Sequence, residues 1–146
     1  MMRLAFYIGR GGWPDRVIRW ATRSPYSHVE LVDDEGRCWS ASHRDKGVRV
    51  KRINVDSGNW TLVDVPWLTD ADLAKVAPHL GAGYDYPGIV MSQMVGLSRH
   101  HETRWFCSEL VAMVMGYPNP HRYSPAMLYE IVTTENARLA KHLSAG

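Results

Sequence analysis

Apolar and polar positions alternate along the first half of the chain and shift to a helical period in the second. Arg3 to Ile8 is an apolar run of strand length, broken by Gly9, Gly11 and Gly12. Pro14 to Thr22 predicts a short helix, with proline in its first turn and Val17, Trp20 and Ala21 on one face. Ser27 to Val32 reads as a second strand, Asp34-Glu35-Gly36 as a turn, and Arg37 to His43 as the returning arm of a hairpin. Gly47 to Ile53 sets Val48, Val50 and Ile53 against Arg49, Lys51 and Arg52, and Trp60 to Val65 alternates again. Thr69 with Asp72 then resembles a capping box. Leu73, Val76, Ala77 and Leu80 follow on one helical face closed by Gly81, with a kink or an end near Ala77 forced by Pro78. Pro87 to Leu97 and Cys107 to Met115 are further helices, the latter apolar enough to be buried and stopped by Gly116 and Pro118. Ser124-Pro125 caps and opens a last helix, which runs on past Glu135 or frays there. Strands followed by helices predict an α+β architecture.

Composition narrows the classes. A chain of 146 residues predicts one domain over 1–146, large enough for a core of its own. A net charge of +2 implies no strong field for nucleic acid or an anionic membrane. Lys51-Arg52 with Arg44, Lys46 and Arg49 reads as a solvated, locally basic sheet rim. No apolar run approaches the roughly 20 residues that span a bilayer. The N-terminal stretch is too short in apolar residues for a secretory signal, so a cytoplasmic location is expected, with a cell wall reached by lysis or through another protein. Two cysteines, Cys38 and Cys107, make no disulfide framework and fit a reducing compartment. Six tryptophans and seven tyrosines against two phenylalanines favour rings with a polar end, the kind that line clefts.

Several motifs fail on inspection. Gly9-Arg10-Gly11 begins like a dinucleotide fingerprint, but Pro14 occupies the third glycine position, and no Gly-Lys-Ser/Thr loop exists. His28-Val29-Glu30 matches the first part of the zinc deaminase signature without its Pro-Cys-x-x-Cys partner. His100-His101-Glu102 has no second ligand cluster at zinc spacing, so no metal is expected.

One constellation survives. Cys107 opens a predicted helix, where unpaired N–H groups and the positive end of the dipole favour thiolate over thiol. The same N–H groups could hold an oxyanion. On location alone, a buried small hydrophobe is the commoner fate of such a cysteine. His28 changes that balance: it lies on a strand, shares a face with Glu30, and is the kind of base a nucleophilic thiol needs. A third polar group must fix its tautomer, and Glu30, Ser40, Ser42 and His43 are the candidates. Tyr84, Tyr86 and Trp105, with Trp39 beside Ser40, are candidates for a substrate cleft, with core or rim packing as the plainer alternative.

Taken in order, Ser27-His28-Val29, Ser40-Ala41, Gly47-Val48, Tyr84-Asp85-Tyr86-x-Gly88 and Cys107-Ser108-Glu109-Leu110 resemble the circularly permuted branch of the papain-like NlpC superfamily, the YiiX-like group related to lecithin–retinol acyltransferase. The similarity spans about residues 4 to 132. The resemblance implies an antiparallel sheet packed against helices, a nucleophile at Cys107 and a base at His28. In that group a third polar residue, often His or Glu, comes on the strand after the base, and Ser40 stands there in this chain. Glu30 stands where related sequences commonly carry Gly, which makes it the alternative orienter. The implied activity is that of a cysteine amidase or peptidase working through an acyl-enzyme, with no metal or organic cofactor. A small peptide, an amide or a lipid-like molecule would be the substrate, and no nucleic-acid partner is expected. An acyltransferase with the same site, or a catalytically weak peptide- or lipid-binding module, are the alternatives.

Overall fold

The computed structural model describes residues 1–9, 12–84 and 104–145. Among them, strands β1 (Arg3–Tyr7), β2 (His28–Val32), β3 (Cys38–Ser42), β4 (Gly47–Lys51) and β5 (Trp60–Asp64) form where the alternation places them. Two short strands, β6 (Gly83–Tyr84) and β7 (Arg104–Trp105), complete a seven-stranded sheet in the order β5-β1-β2-β3-β4-β6-β7. Every pairing is antiparallel except that of β6 with β7. Four helices accompany the sheet: α1 (Trp13–Thr22), α2 (Asp70–Leu73), α3 (Cys107–Val114) and α4 (Pro125–Ser144). The architecture is α+β, as the order of strands and helices predicts.

Local chemistry explains most of the boundaries. Asp72 takes the usual Glu role at the start of α2, its carboxylate accepting from the Thr69 N–H at 3.0 Å. The predicted helix beyond it does not persist: α2 is one turn, and Ala74–His79 tightens into a 3₁₀ helix around Pro78, which lacks the N–H an α-helix would use. Gly116, with φ of +75°, ends α3, and the Tyr117 N–H closes back on the Ala112 carbonyl at 3.0 Å. The Ser124 hydroxyl caps α4 by accepting from the Met127 N–H at 3.1 Å. That helix continues to Ser144 rather than stopping near Glu135. The predicted helix over Pro87 to Leu97 lies outside the described residues.

The sheet is covered differently on its two faces. Leu4, Phe6, Val29, Leu31, Ala41 and Val48 share one face and pack with Leu110, Val111 and Val114 of α3 and Leu128 and Val132 of α4. Tyr129 of α4 stands edge-on to Phe6 at 5.3 Å and lies 4.4 Å from the Tyr26 ring. The opposite face holds a smaller cluster of Ala5, Val32, Cys38 and Val55. Strand alternation puts His28, Glu30 and Arg49 on this second face.

α1 is turned from the orientation its apolar residues predict. Ile18 is its buried residue, whereas Trp20 faces out. At the other end of the sheet, Gly47 allows a close backbone approach. A Cβ there would lie 2.1 Å from the Ala82 carbonyl oxygen, to which the Val48 N–H donates at 2.8 Å. The obstacle is backbone and cannot rotate away. Gly47→Ala is expected to cost roughly 1–3 kcal/mol as overpacking, read from the denaturant midpoint; an unchanged midpoint would refute the close approach.

Candidate active site

Cys107 is the first residue of α3, following Phe106 in extended conformation, and it has no exposed surface. Glu109, buried in the same turn, reaches back toward the Phe106 N–H at 3.5 Å. His28 opens β2, and Cys107 is among the groups that raise its imidazole pKa. The two residues are far apart in sequence, and Cys107 packs in the core cluster of the face that α3 covers, with Val29 and Leu110.

The imidazole is held by Glu30. His28 Nε2 donates to Glu30 Oε1 at 2.6 Å. Glu30 is fully buried and would be costly alone. Arg49 compensates it with a two-pronged contact, Nη1 to Oε2 and Nη2 to Oε1, both at 2.6 Å. Arg49 is itself held by Nε donating to Asp45 Oδ2 at 2.7 Å, and Asp45 also accepts from Lys51 Nζ at 2.7 Å. The row of contacts runs Lys51, Asp45, Arg49, Glu30, His28.

These contacts set the charge states. Burial pushes the His28 imidazole down, but the charges of Cys107 and Glu30 and its hydrogen bonds to both outweigh burial, and its pKa is pushed up to about 10. Burial pushes the Glu30 carboxyl up, and the Arg49 hydrogen bonds, with His28, more than reverse this and hold it below its ordinary value. Arg49 is raised in turn, Glu30 and Asp45 overcoming its burial. Cys38 differs: burial, then the Glu30 charge, push its thiol up.

Of the candidates for orienting His28, the structure brings Glu30 and not Ser40 to the imidazole. The Ser40 hydroxyl donates to the Val29 carbonyl at 2.7 Å. Leu31 pairs with Trp39 and Val32 with Cys38, and that register carried one residue further sets Ser40 across from Glu30, while Ser40 pairs with Arg49 on its other side. A small side chain between them lets the guanidinium cross one strand to reach the carboxylate. Ser42 accepts from the Asp45 N–H at 3.4 Å, within the hairpin turn. His43 is exposed on the rim of the cavity described below.

Arg49 is the residue missed in the sequence. Its place in an alternating strand suggested a solvated face, yet its side chain is only 14 % exposed. Tyr84 and Trp105, proposed as substrate contacts, pair directly in the parallel β6–β7 register. Tyr86 lies outside the described residues, as does His100-His101-Glu102. Trp39 is anchored away from the site, its indole Nε1 donating to Asp33 Oδ2 at 2.9 Å.

A cavity of about 440 Å³ opens on the second face of the sheet. His28, Glu30 and Arg49 form part of its wall, with Trp60, Tyr7 and residues of α1 around them; Cys107 does not line it. Two buried hydroxyls, those of Ser27 and Ser108, the sequence neighbours of His28 and Cys107, make no hydrogen bond among the described residues.

The sequence matches no family model and no curated protein. Among solved structures it is similar to the metalloprotein YiiX from Escherichia coli O157:H7 (DUF1105), with a TM-score of 0.54 and 21 % identity. The match covers 77 % of this chain and 62 % of the YiiX chain. The fold is YiiX-like. The matched region spans less than two thirds of YiiX, and at this identity the likeness concerns the fold alone. YiiX is named a metalloprotein; among the described residues of this chain, no three His, Cys, Asp or Glu side chains gather as a metal site. The Glu30 carboxylate is instead spent on His28 and Arg49.

Proposed function

We propose that the chain is a cysteine hydrolase of the amidase or peptidase kind, built on the permuted papain-like plan. The observation that carries this is the contact of His28 with the buried Glu30 carboxylate at 2.6 Å, with Cys107 among the groups that raise the imidazole pKa. In this reading His28 takes the proton of the Cys107 thiol. Cys107 sulfur attacks the carbonyl carbon, and α3 N–H groups receive the charge on the oxygen. His28 gives its proton to the departing amine as the C–N bond breaks, leaving a thioester. His28 then takes a proton from water, the hydroxide attacks the thioester, and the acid leaves as the thiolate is restored. Glu30 keeps Nε2 engaged, so that Nδ1 handles the proton throughout. Arg49 is a positioning residue, acting on His28 through Glu30. With an amine or alcohol in place of water, the same steps make an acyltransferase.

Iodoacetamide labelling with peptide mass spectrometry tests the activated thiol. Cys107 is expected to react faster than Cys38 near neutral pH, and His28→Ala should slow Cys107 while leaving Cys38 unchanged. Equal, sluggish reaction of both would contradict it. One observation favours a binding module instead: Cys107 is fully buried and absent from the cavity wall. Wild-type and Cys107→Ala proteins with equal thermal shifts on cell-wall peptides, and no product from either, would decide for that reading.

A further inference from the structure

We propose that α1 is an interfacial helix that seats the cavity mouth on an anionic phospholipid surface. Trp13, Arg16 and Trp20 follow one another at spacings of three and four, which confines them to one narrow stripe of the helix, and Arg23 follows as its C-cap. All four are exposed, the two indoles at 67 % and 70 %. Ile18, on the opposite side of α1, is the residue that anchors the helix to the protein. Two large exposed indoles one helical face apart are more than the scattered apolar residues of an ordinary surface. Interleaved with arginines, they have the composition of a helix lying in the headgroup region, rings toward the acyl boundary and cations toward phosphate.

The charge distribution supports the same partner. The net charge of +2 conceals an uneven spread. Residues 13–23 and 43–52 together hold eight basic side chains against Asp15 and Asp45, so the remaining chain is net negative. These two segments supply facing walls of the cavity: Trp13 and Ile18 from one, Arg44 and Lys51 from the other. Arg49 is consumed by Glu30, but Arg16, Arg23, Arg44, Lys46, Lys51 and Arg52 are exposed. Arg44 and Lys51 stand on the cavity wall, Lys51 paired with Asp45, and the other exposed basic residues lie on the same two segments. No helix among the described residues is long and apolar enough to cross a membrane, so contact would be peripheral. A membrane-seated mouth would admit an acyl chain or lipid headgroup from the bilayer; that extension rests on the hydrolase reading, whereas the docking itself does not.

Flotation with phosphatidylcholine vesicles, with and without about a third phosphatidylglycerol, tests the docking, with tryptophan emission as a second readout. Binding is expected only to the anionic vesicles, weakened by salt and accompanied by a blue shift. Trp13→Ala/Trp20→Ala and Arg16→Glu/Arg23→Glu should each weaken it by at least about tenfold without changing the melting temperature, while Cys107→Ala should bind as wild type. The proposal is overturned by no binding to either vesicle, by equal binding to both, or by affinity unaffected in both double variants. Capture of a single-stranded oligonucleotide without vesicle binding would likewise overturn it and assign the face to nucleic acid.

Discussion

Arg49→Met is expected to lower the stability of the protein by about 3–5 kcal/mol, the cost of leaving a buried charge without its main partner. Glu30 is fully buried, and both of its oxygens depend on the Arg49 guanidinium at 2.6 Å. Methionine fills similar volume but supplies no donor. For a chain of this length the loss corresponds to a fall in Tm of roughly 10 °C, a large share of the ~5–15 kcal/mol that folded domains hold. The signature that separates charge burial from lost packing is the double variant. Glu30→Gln/Arg49→Met removes the stranded charge and is expected to be more stable than Arg49→Met alone. Thermal and denaturant unfolding of the four proteins measure this cycle; strictly additive losses would contradict the coupling.

Glu30→Gln is expected to lower the His28 pKa by about 1–3 units, the range for losing an opposite charge in direct contact. The wild-type value, pushed up to about 10, has two consequences of opposite pH sense from the Glu30 value. A raised His28 contributes stability that is complete below its unfolded pKa of about 6.5 and is lost as pH rises through about 10. A lowered Glu30 contributes stability present above its unfolded value and lost as pH falls through the folded one. The alkaline limb of stability, and of turnover on any substrate found, should therefore move to lower pH in Glu30→Gln. With the imidazole less firmly oriented, turnover should fall by about 10²–10⁴-fold at neutral pH, the usual scale of general acid–base catalysis. A pH profile superimposable on wild type would remove Glu30 from the orienting role.

Four of the five long strands were legible because each has a face to fill with Val, Leu, Ile or Phe, and alternation records that demand directly, while β3 was legible as the return arm after the Asp34-Glu35-Gly36 turn. β6 and β7 were not, because two-residue strands carry no period; β6 is recruited by the backbone approach at Gly47. The facing of α1 was misjudged for a related reason. Counting Trp20 as apolar made it a core residue, whereas Ile18 is the buried residue of α1 and Trp20 looks outward. Within the site, His28 and Cys107 could be paired from residue chemistry and motif order, and His28 with Glu30 from strand alternation. Choosing between Glu30 and Ser40 required the register, since both lie on one face and only their contacts differ. Arg49 was hidden because a charged residue alternating with valines looks solvated unless the second face of the sheet is known to be covered.

Titration of the His28 imidazole by NMR, on protein carrying ring-labelled histidine and with His28→Ala to assign the resonance among the seven, addresses the pairing most directly. The ring is expected to remain protonated through neutral pH, to deprotonate near pH 10, and to shift downward when Cys107 is replaced by Ala. A midpoint near 6.5, indifferent to Cys107→Ala, would show that sulfur and imidazole are not partners.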